Sequence, residues 1–387
     1  LLLGFWVTVF LCFPGLFPEG GWEGNAPWRD QVPRAIRLVG DSPRYLLGAE
    51  NLLAGRPLEN KQGSYAGYVA VVAACLGCGI GLPGVVAVQV VAALLSLLCL
   101  YGLGRRVGGA LAGALAVLLH AANPEIAAWH TIIQTDSLYI SSLIIFLWLY
   151  VEARERGWAW RLALVPAGVA FVLIRPNGWI VPPVLCLHAV LTARSWPWRR
   201  RLTGLGALAT VLLVVAFTVS GLRRGLEAEG PVQMLYKGEV LWGYAPWRLQ
   251  MPAPIENSSA WGPALRYVLR HPLACTELAL ARVGVLFSRV KPGYSFRHNL
   301  FMLFAYPPLY LLALWGIWKH RSRWEVGLLL TVIGGHVLTV ALTFDHVDGR
   351  FFLYFLPELV VLSAAGAAAL LRARWGTRRS TAGVLPS

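Results

Sequence analysis

Apolar stretches recur from one end of the chain to the other, separated by short polar connectors. A helical bilayer crossing needs about 20 mostly apolar residues. The stretches at 1–17, 84–104, 108–128, 137–152, 161–175, 178–193, 202–220, 298–317, 325–343 and 351–371 supply about ten crossings. The alternating ten-residue segments of an outer-membrane barrel are absent. The pattern predicts an all-α polytopic membrane protein, one domain over 1–387, with long polar loops at 19–83 and 221–297.

Residues 66–82 are apolar but sit at the lower limit of a crossing, and they run into Gly81-Leu82-Pro83-Gly84. Counting them as a crossing would interleave the basic connectors wrongly, so they read as a juxtamembrane or re-entrant helix. Ahead of them the first loop carries GDSPRYLLGAENLLAGRPL, residues 40–58. There Tyr45, Leu46, Ala49, Leu52 and Leu53 fall on one helical face. Ser42 reads as the N-cap, Pro43 as the first helical residue and Gly55 as the stop. So short a helix cannot span, and it is expected to lie along the interface with Asp41 at the membrane surface. A second amphipathic stretch is expected near 263–289, where Glu277 and Arg282 interrupt apolar positions.

Composition sharpens this picture. The chain has 387 residues, 57% hydrophobic and only 14% charged, against about a quarter charged in soluble domains. The net charge of +15 raises nucleic-acid binding, but its distribution argues against it. Basic residues gather in the connectors at Arg105–Arg106, Arg154–Arg161, Arg194–Arg201, Lys319–Arg323 and Arg372–Arg379, with few acids among them. That is the positive-inside signature, and it marks all five as cytoplasmic. The first loop, the turns Trp129–Asp136, Arg175–Gly178 and Phe344–Arg350, and the loop 221–297 then face outward, from an integral plasma (inner) membrane. Six cysteines are scattered, and the Cys75/Cys78 pair has neither a second pair nor a nearby histidine, so no metal or redox site is read there. The chain starts at Leu1, which implies missing upstream residues, and 1–18 lacks a small-residue cleavage site, so it reads as an uncleaved first span.

Candidate chemistry lies on the outward side. Asp41 is either a general base or a helix cap and solvated loop acid. Asp136, in QTDSLY, is either a second site carboxylate or an N-cap with Thr135. Arg175, Arg350 and Lys291 are candidate anion-binding cations; their competing reading is snorkelling or general attraction to anionic lipid. Lys237, Arg289 and Arg297 add to the basic character of the large loop, Glu125 is a weaker acid near the same surface, and His130 has no evident partner. Tyr45, Glu50, Tyr354 and Glu358 are candidate cavity residues, with ordinary solvation the competing reading for Glu50. Arg350, Tyr354 and Glu358 are four apart and share a helix face, so Glu358 is expected to face a polar cavity or to pair with a cation. The G-x-G-x-x-G at 79–84 follows no strand and is dismissed. Without an internal repeat, an inverted-repeat transporter is disfavoured.

Taken in order, the motifs GDSPRYLLGAENLLAG, VQVVAALLSLLCLYGLGRRVGGALAGALAVLLHAANP, QTDSLY, LIRPNG and GRFFLYFLPEL resemble the GT-C superfamily of membrane glycosyltransferases. The likeness is above all to the branch of protein O-mannosyltransferases and aminoarabinose transferases, glycosyltransferase family 39. The resemblance implies inverting transfer of a sugar from a polyprenyl-phosphate donor to a lipid, glycan or protein acceptor, with catalytic Asp41 and a second site acid at Asp136. It implies Arg350, with Arg175 or Lys291, on the donor phosphate. Where many members have Asp-Glu this chain has Asp41-Ser42, and where related enzymes pair two metal-binding acids it has Asp136-Ser137. A divalent metal is compatible with the superfamily but is not inferred, and nucleic acid is not an expected partner. The alternatives are a transporter or flippase of a lipid-linked sugar or anionic solute, and a non-catalytic assembly subunit.

Overall fold

The structure, a computed structural model, describes residues 36–192, 230–254 and 261–381. The expected spans 1–17 and 202–220 lie outside the described residues. Among the described residues five helices are long and apolar enough to cross a membrane. They are α3 (Gly81–Gly108), α6 (Thr135–Glu155), α12 (Phe296–His320), α13 (Trp324–Leu342) and the first part of α15 (Leu356–Thr381). Between them run α1 (Ser42–Leu53), α2 (Ala66–Gly77), α4 (Ala110–Ala121), α5 (Pro124–Trp129), α7 (Trp158–Ile174), α8 (Val181–Thr192), α9 (Pro231–Tyr236), α10 (Trp261–Arg270), α11 (Pro272–Ser288) and α14 (Arg350–Leu353). The architecture is an all-α membrane bundle. Its only described sheet is a parallel pair, Leu241–Trp242 (β1) beside Asp345–His346 (β2), which joins the large loop to the last turn.

The expected spans 108–128 and 178–193 come out shorter than drawn and 161–175 comes out shifted, for local reasons. The span 108–128 is cut in two because Asn123 caps a new helix, accepting from the backbone N–H of Glu125 at 2.9 Å and of Ile126 at 3.2 Å, with Pro124 in its first turn. The span 161–175 becomes the 17-residue α7, with Pro166 inside it. In the span 178–193 the prolines 182 and 183 confine the α-helix to Val181–Thr192 after a 3-10 turn at Pro176–Ile180. Helix α2 has 12 residues, roughly 18 Å, which is too short for a crossing. It packs against α1, whose Tyr45, Leu46 and Ala49 are buried, whereas Leu52 and Leu53 are about half exposed. The apolar face of α1 therefore ends one turn earlier than its sequence suggests. The amphipathic stretch near 263–289 is two helices, α10 and α11, divided at His271-Pro272.

Helices α6 and α15 form the centre, with 72% and 67% of their apolar windows buried, against 22% for α3 and 28% for α12. Helix α12 crosses α15 where Gly316 meets Leu362 and Gly366 meets Leu312, and a Cβ at either glycine would collide with backbone. Contact this close is what small residues give to membrane helices, where packing has to replace the hydrophobic drive. Centrality matters because Asp136 opens α6 and Arg350 leads into α15.

The polar connectors sort to two ends. At one, Arg106 pairs with Glu152 at 2.9 Å, Arg323 donates to the Arg106 carbonyl at 2.9 Å, and Arg154 donates to Thr192 at 2.8 Å. At the other, the first loop meets the turn before α6. Arg37 N–H donates to the Thr131 carbonyl and Ile133 N–H to the Arg37 carbonyl, both at 3.1 Å.

Candidate functional site

The site is assembled at the second end from four separate turns. Asp41 occupies the N-cap position of α1 but makes no side-chain cap bond. That role is not needed from it, because Ser42 Oγ ties the turn instead, accepting from Val39 N–H at 2.9 Å and donating to the Val39 carbonyl at 2.8 Å. The Asp41 carboxylate is thereby left to side chains. Arg44 lies 3.0 Å from Oδ1, and Arg350 Nη1 donates to Oδ2 at 3.5 Å. About a quarter of the Asp41 side chain stays exposed. Burial pushes its pKa up, but Arg350, then Arg44 and Arg175, outweigh that and hold it below the usual carboxylate value.

Asp136 has the opposite surroundings. It is fully buried in the first turn of α6, and its Oδ1 accepts from Arg175 Nη1 at 3.0 Å and from Tyr354 OH at 2.5 Å, while Oδ2 has no protein partner. Arg175 also donates to Thr135 Oγ1 at 2.8 Å and lies 4.8 Å from the centre of the Tyr354 ring. It is therefore a buried partner of Asp136 and not an arginine snorkelling to the lipid surface. Arg350 is buried as well. Its Nη1 donates to Gln134 Oε1 at 3.3 Å, and Gln134 in turn donates to the Val39 carbonyl at 2.7 Å. Burial opposes the Arg350 charge, but Asp348 first, then Asp136, hold the guanidinium protonated.

Tyr45 is fully buried between Tyr65 and Tyr68, with ring centres 5.2 and 5.0 Å away, and its hydroxyl has no partner. Burial raises its pKa, so it stays a neutral phenol. Among the described residues, buried atoms without a hydrogen-bond partner here are therefore Tyr45 OH, Asp136 Oδ2 and Arg175 Nε, while Arg350 Nε lies 3.4 Å from Asp348. A group with both oxyanion and hydroxyl character would satisfy them.

Several expectations need correction. Glu50 is exposed, which fits ordinary solvation of the polar face of α1 better than a place in a cavity. Lys291 is fully buried and its amine is bound to Asp345, so it is not a free cation for phosphate. Glu358 is buried, and among the described residues it pairs with no cation and neither of its oxygens has a hydrogen-bond partner. Arg350, Tyr354 and Glu358 do not share one continuous helix. Pro357 cannot supply the N–H that would bond back to the Leu353 carbonyl, and α14 stops at Leu353 while α15 begins at Leu356. His130 has a partner, with its Nδ1 2.7 Å from Ser137 Oγ. Glu125 is the core of a second buried cluster, bound by Arg289 at 2.5 Å and by the Tyr306 hydroxyl. Lys237 and Arg297 are exposed.

Gln134 and Arg44 went unweighed at the sequence level. Arg44 could have been found as the i+3 partner of Asp41, and Gln134 as a long polar side chain at the mouth of a buried helix. Among the described residues no group of three or more His, Cys, Asp or Glu is gathered that could hold a metal ion.

Residues 65–220 match the family model described as dolichyl-phosphate-mannose-protein mannosyltransferase. The undecaprenyl phosphate-alpha-4-amino-4-deoxy-L-arabinose arabinosyl transferase of Pseudomonas paraeruginosa is 28% identical over 225 residues, which are 54% of this chain and 38% of that protein. These matches support a GT-C superfamily glycosyltransferase as what this chain is similar to. Its apolar helices agree with an integral membrane protein. Among solved structures it is similar to the Archaeoglobus fulgidus oligosaccharyltransferase AglB in complex with an inhibitory peptide and a dolichol-phosphate, with TM-score 0.48, 13% identity, all of this chain and 52% of that one. It is also similar to ArnT from Cupriavidus metallidurans, with TM-score 0.37, 15% identity, 94% of this chain and 77% of that one. The match thus spans well under half the length of the curated Pseudomonas paraeruginosa relative.

Proposed function

We propose that this protein transfers a sugar from a polyprenyl-phosphate donor to an acceptor on the extracytoplasmic face of the inner membrane, with inversion at the anomeric carbon. The observation that carries the reading is the meeting of Asp41 and Arg350. A partly exposed carboxylate and a buried guanidinium, 309 residues apart in sequence, lie 3.5 Å from one another at one end of the bundle. An acceptor hydroxyl and a lipid phosphate are the two groups such a pair would handle. The relatives' names, with their undecaprenyl-phosphate and dolichyl-phosphate sugars, support the same donor class.

In this mechanism the acceptor oxygen attacks the anomeric carbon from the face opposite the phosphate. The bond from that carbon to the phosphate oxygen breaks, and its electron pair leaves with the polyprenyl phosphate. The acceptor's proton passes to Asp41, a role worth about 10²–10⁴-fold in rate. Arg350 meets the charge gained by the phosphate, and Arg175 adds to the field from behind Asp136. A lipid phosphate leaves readily, so no general acid is required. Donor binding also tunes the base. A phosphate on Arg350 withdraws the largest charge holding the Asp41 pKa down, so Asp41 becomes more basic when the donor arrives. Asp136 holds Arg175 and Tyr354 in register and offers Oδ2 to a substrate hydroxyl. The loops 19–83 and 221–297 are the extracytoplasmic parts of one domain over 1–387.

The test is transfer from defined polyprenyl-phosphate sugars by protein in nanodiscs, read by mass spectrometry with the product anomer assigned by NMR. Transfer with inversion that is lost in Asp41→Asn is the expected result. A retained anomer, or an Asp41→Asn variant as active as wild type, would sink it.

A further inference from the structure

Arg289 caps the end of α11 in a conformation unusual for its type, with φ at 58°, the left-handed region. Among the described residues no other non-glycine residue has a positive φ. Backbone strain of this kind persists only where the surroundings over-determine it. Here they do, because the side chain is fully buried and gripped on all sides. Its Nη2 donates to Glu125 Oε1 at 2.5 Å, and its Nη1 donates to the Gly349 carbonyl at 2.8 Å. The guanidinium lies 4.5 Å from the centre of the Phe352 ring and 5.2 Å from that of Tyr306.

What Arg289 holds is more telling than how it is held. Gly349 immediately precedes Arg350, and Glu125 opens the short helix that leads into the turn carrying Gln134 and Asp136. One guanidinium therefore joins the two loops that deliver the candidate chemistry. Tyr294, five residues on, reinforces it by donating its hydroxyl to the Asp348 carbonyl at 2.6 Å. The fit leaves no slack: Gly349 has φ at 67°, and a Cβ there would come within 2.5 Å of the Tyr294 hydroxyl and 2.7 Å of Arg289 Nη1. Both terminal nitrogens of Arg289 are engaged and its remaining N–H, at Nε, is buried, so it is placed to act on a phosphate through its neighbour.

We propose that Arg289, seated on Glu125, is a positioning residue for lipid-phosphate binding, fixing the Gly349 carbonyl so that Arg350 is aimed across Asp41. The inference rests on the reading that Arg350 takes the donor phosphate. A lysine at 289 keeps a charge against Glu125 but cannot also reach Gly349 with a planar fork.

The experiment measures binding of undecaprenyl phosphate to the full chain in phosphatidylcholine nanodiscs, for Arg289→Lys, Arg350→Gln and the double variant. Arg350→Gln should raise Kd about 30-fold, as loss of a charge-assisted hydrogen bond does. Arg289→Lys should raise it about 5-fold, and should add nothing in the Arg350→Gln background, since residues acting through one another are not additive. If Arg289→Lys binds like wild type while Arg350→Gln is impaired, or if the two effects multiply in full, the positioning role is overturned and the phosphate reading stands. If Arg350→Gln itself binds like wild type, the phosphate reading falls and takes this inference with it. Should Arg289→Lys not yield folded protein, Tyr294→Phe carries the same cycle, with an expected loss of about 2-fold that also vanishes beside Arg350→Gln.

Discussion

The two ends of the bundle use the same residue types to different ends. At the connector end Arg106 reaches Glu152 and Glu155 with a quarter of its side chain exposed, and Arg156, more than half exposed, reaches Glu152. The Arg106–Glu155 pair, exposed on both sides, sits in high dielectric and contributes about 0–1 kcal/mol, while Glu152 is itself buried beneath its two arginines. At the site end Arg175–Asp136, Arg289–Glu125 and Lys291–Asp345 are almost wholly buried. Burial makes an ion pair costly to form and damaging to break, so it is weak evidence for stability and better evidence that a geometry is being held. The lesson is that charge at the connector end reads as topology, while charge at the site end has to be read as construction. Asp41 stands apart from both. It is at the site end, yet about a quarter of its side chain stays exposed, as about a third of that of Asp348 does.

The contrast can be broken most forcefully at Asp41. Replacing it by Asn should lower transfer about 10²–10⁴-fold in steady-state assays. The Tm of the purified protein should barely move, because the lost partners Arg44 and Arg350 retain water or Asp348. A large fall in Tm would place Asp41 with the structural pairs instead. Next comes Asp345→Ala, which leaves the Lys291 amine buried without its partner. It should cost about 3–5 kcal/mol, read as a fall in Tm in detergent.

A pH scan sharpens the same contrast. Burial lowers the His130 pKa to about 4, so the folded protein keeps it neutral. The unfolded chain binds a proton near 6.5, so between about pH 6.5 and 4 unfolding takes up a proton and stability falls as the solution is acidified. His130→Asn should flatten part of that loss, and an unchanged slope between the variants would exclude the assignment. Asp41 adds nothing in this window: its folded pKa is lowered, so its contribution is lost only under more acid conditions. The smallest effect belongs to the connector end. Glu155→Gln should change stability by about 0–1 kcal/mol and leave transfer at wild-type level.

Much of the fold was legible because membrane insertion writes itself locally. Long apolar runs predict α3, α6, α12, α13 and α15, and 66–82, long enough to span by sequence but read as juxtamembrane from the order of the basic connectors, holds only the 12-residue α2. Proline and asparagine then moved the boundaries. Asn123-Pro124 split one span, and Pro357 separated Tyr354 from the helix of Glu358, because capping and a missing N–H act more sharply than hydropathy averaged over a window. The candidate site was legible in its residue types but not in its pairings. Asp41, Asp136, Arg175 and Arg350 stand out as polar residues at the ends of apolar runs. Nothing in their spacing says that Arg175 serves Asp136 while Arg350 reaches Asp41, or that Lys291 is taken by Asp345.

Left to itself, then, the chain's order of residues fixed its solvent, its helices and the end at which its polar turns gather, since each follows from the transfer of nearby groups into lipid. Which guanidinium neutralises which carboxylate, and that Asp41 stays about a quarter exposed, was decided only by packing. Those contacts join segments 39 to 309 residues apart, and their strength depends on burial that no local stretch of sequence encodes.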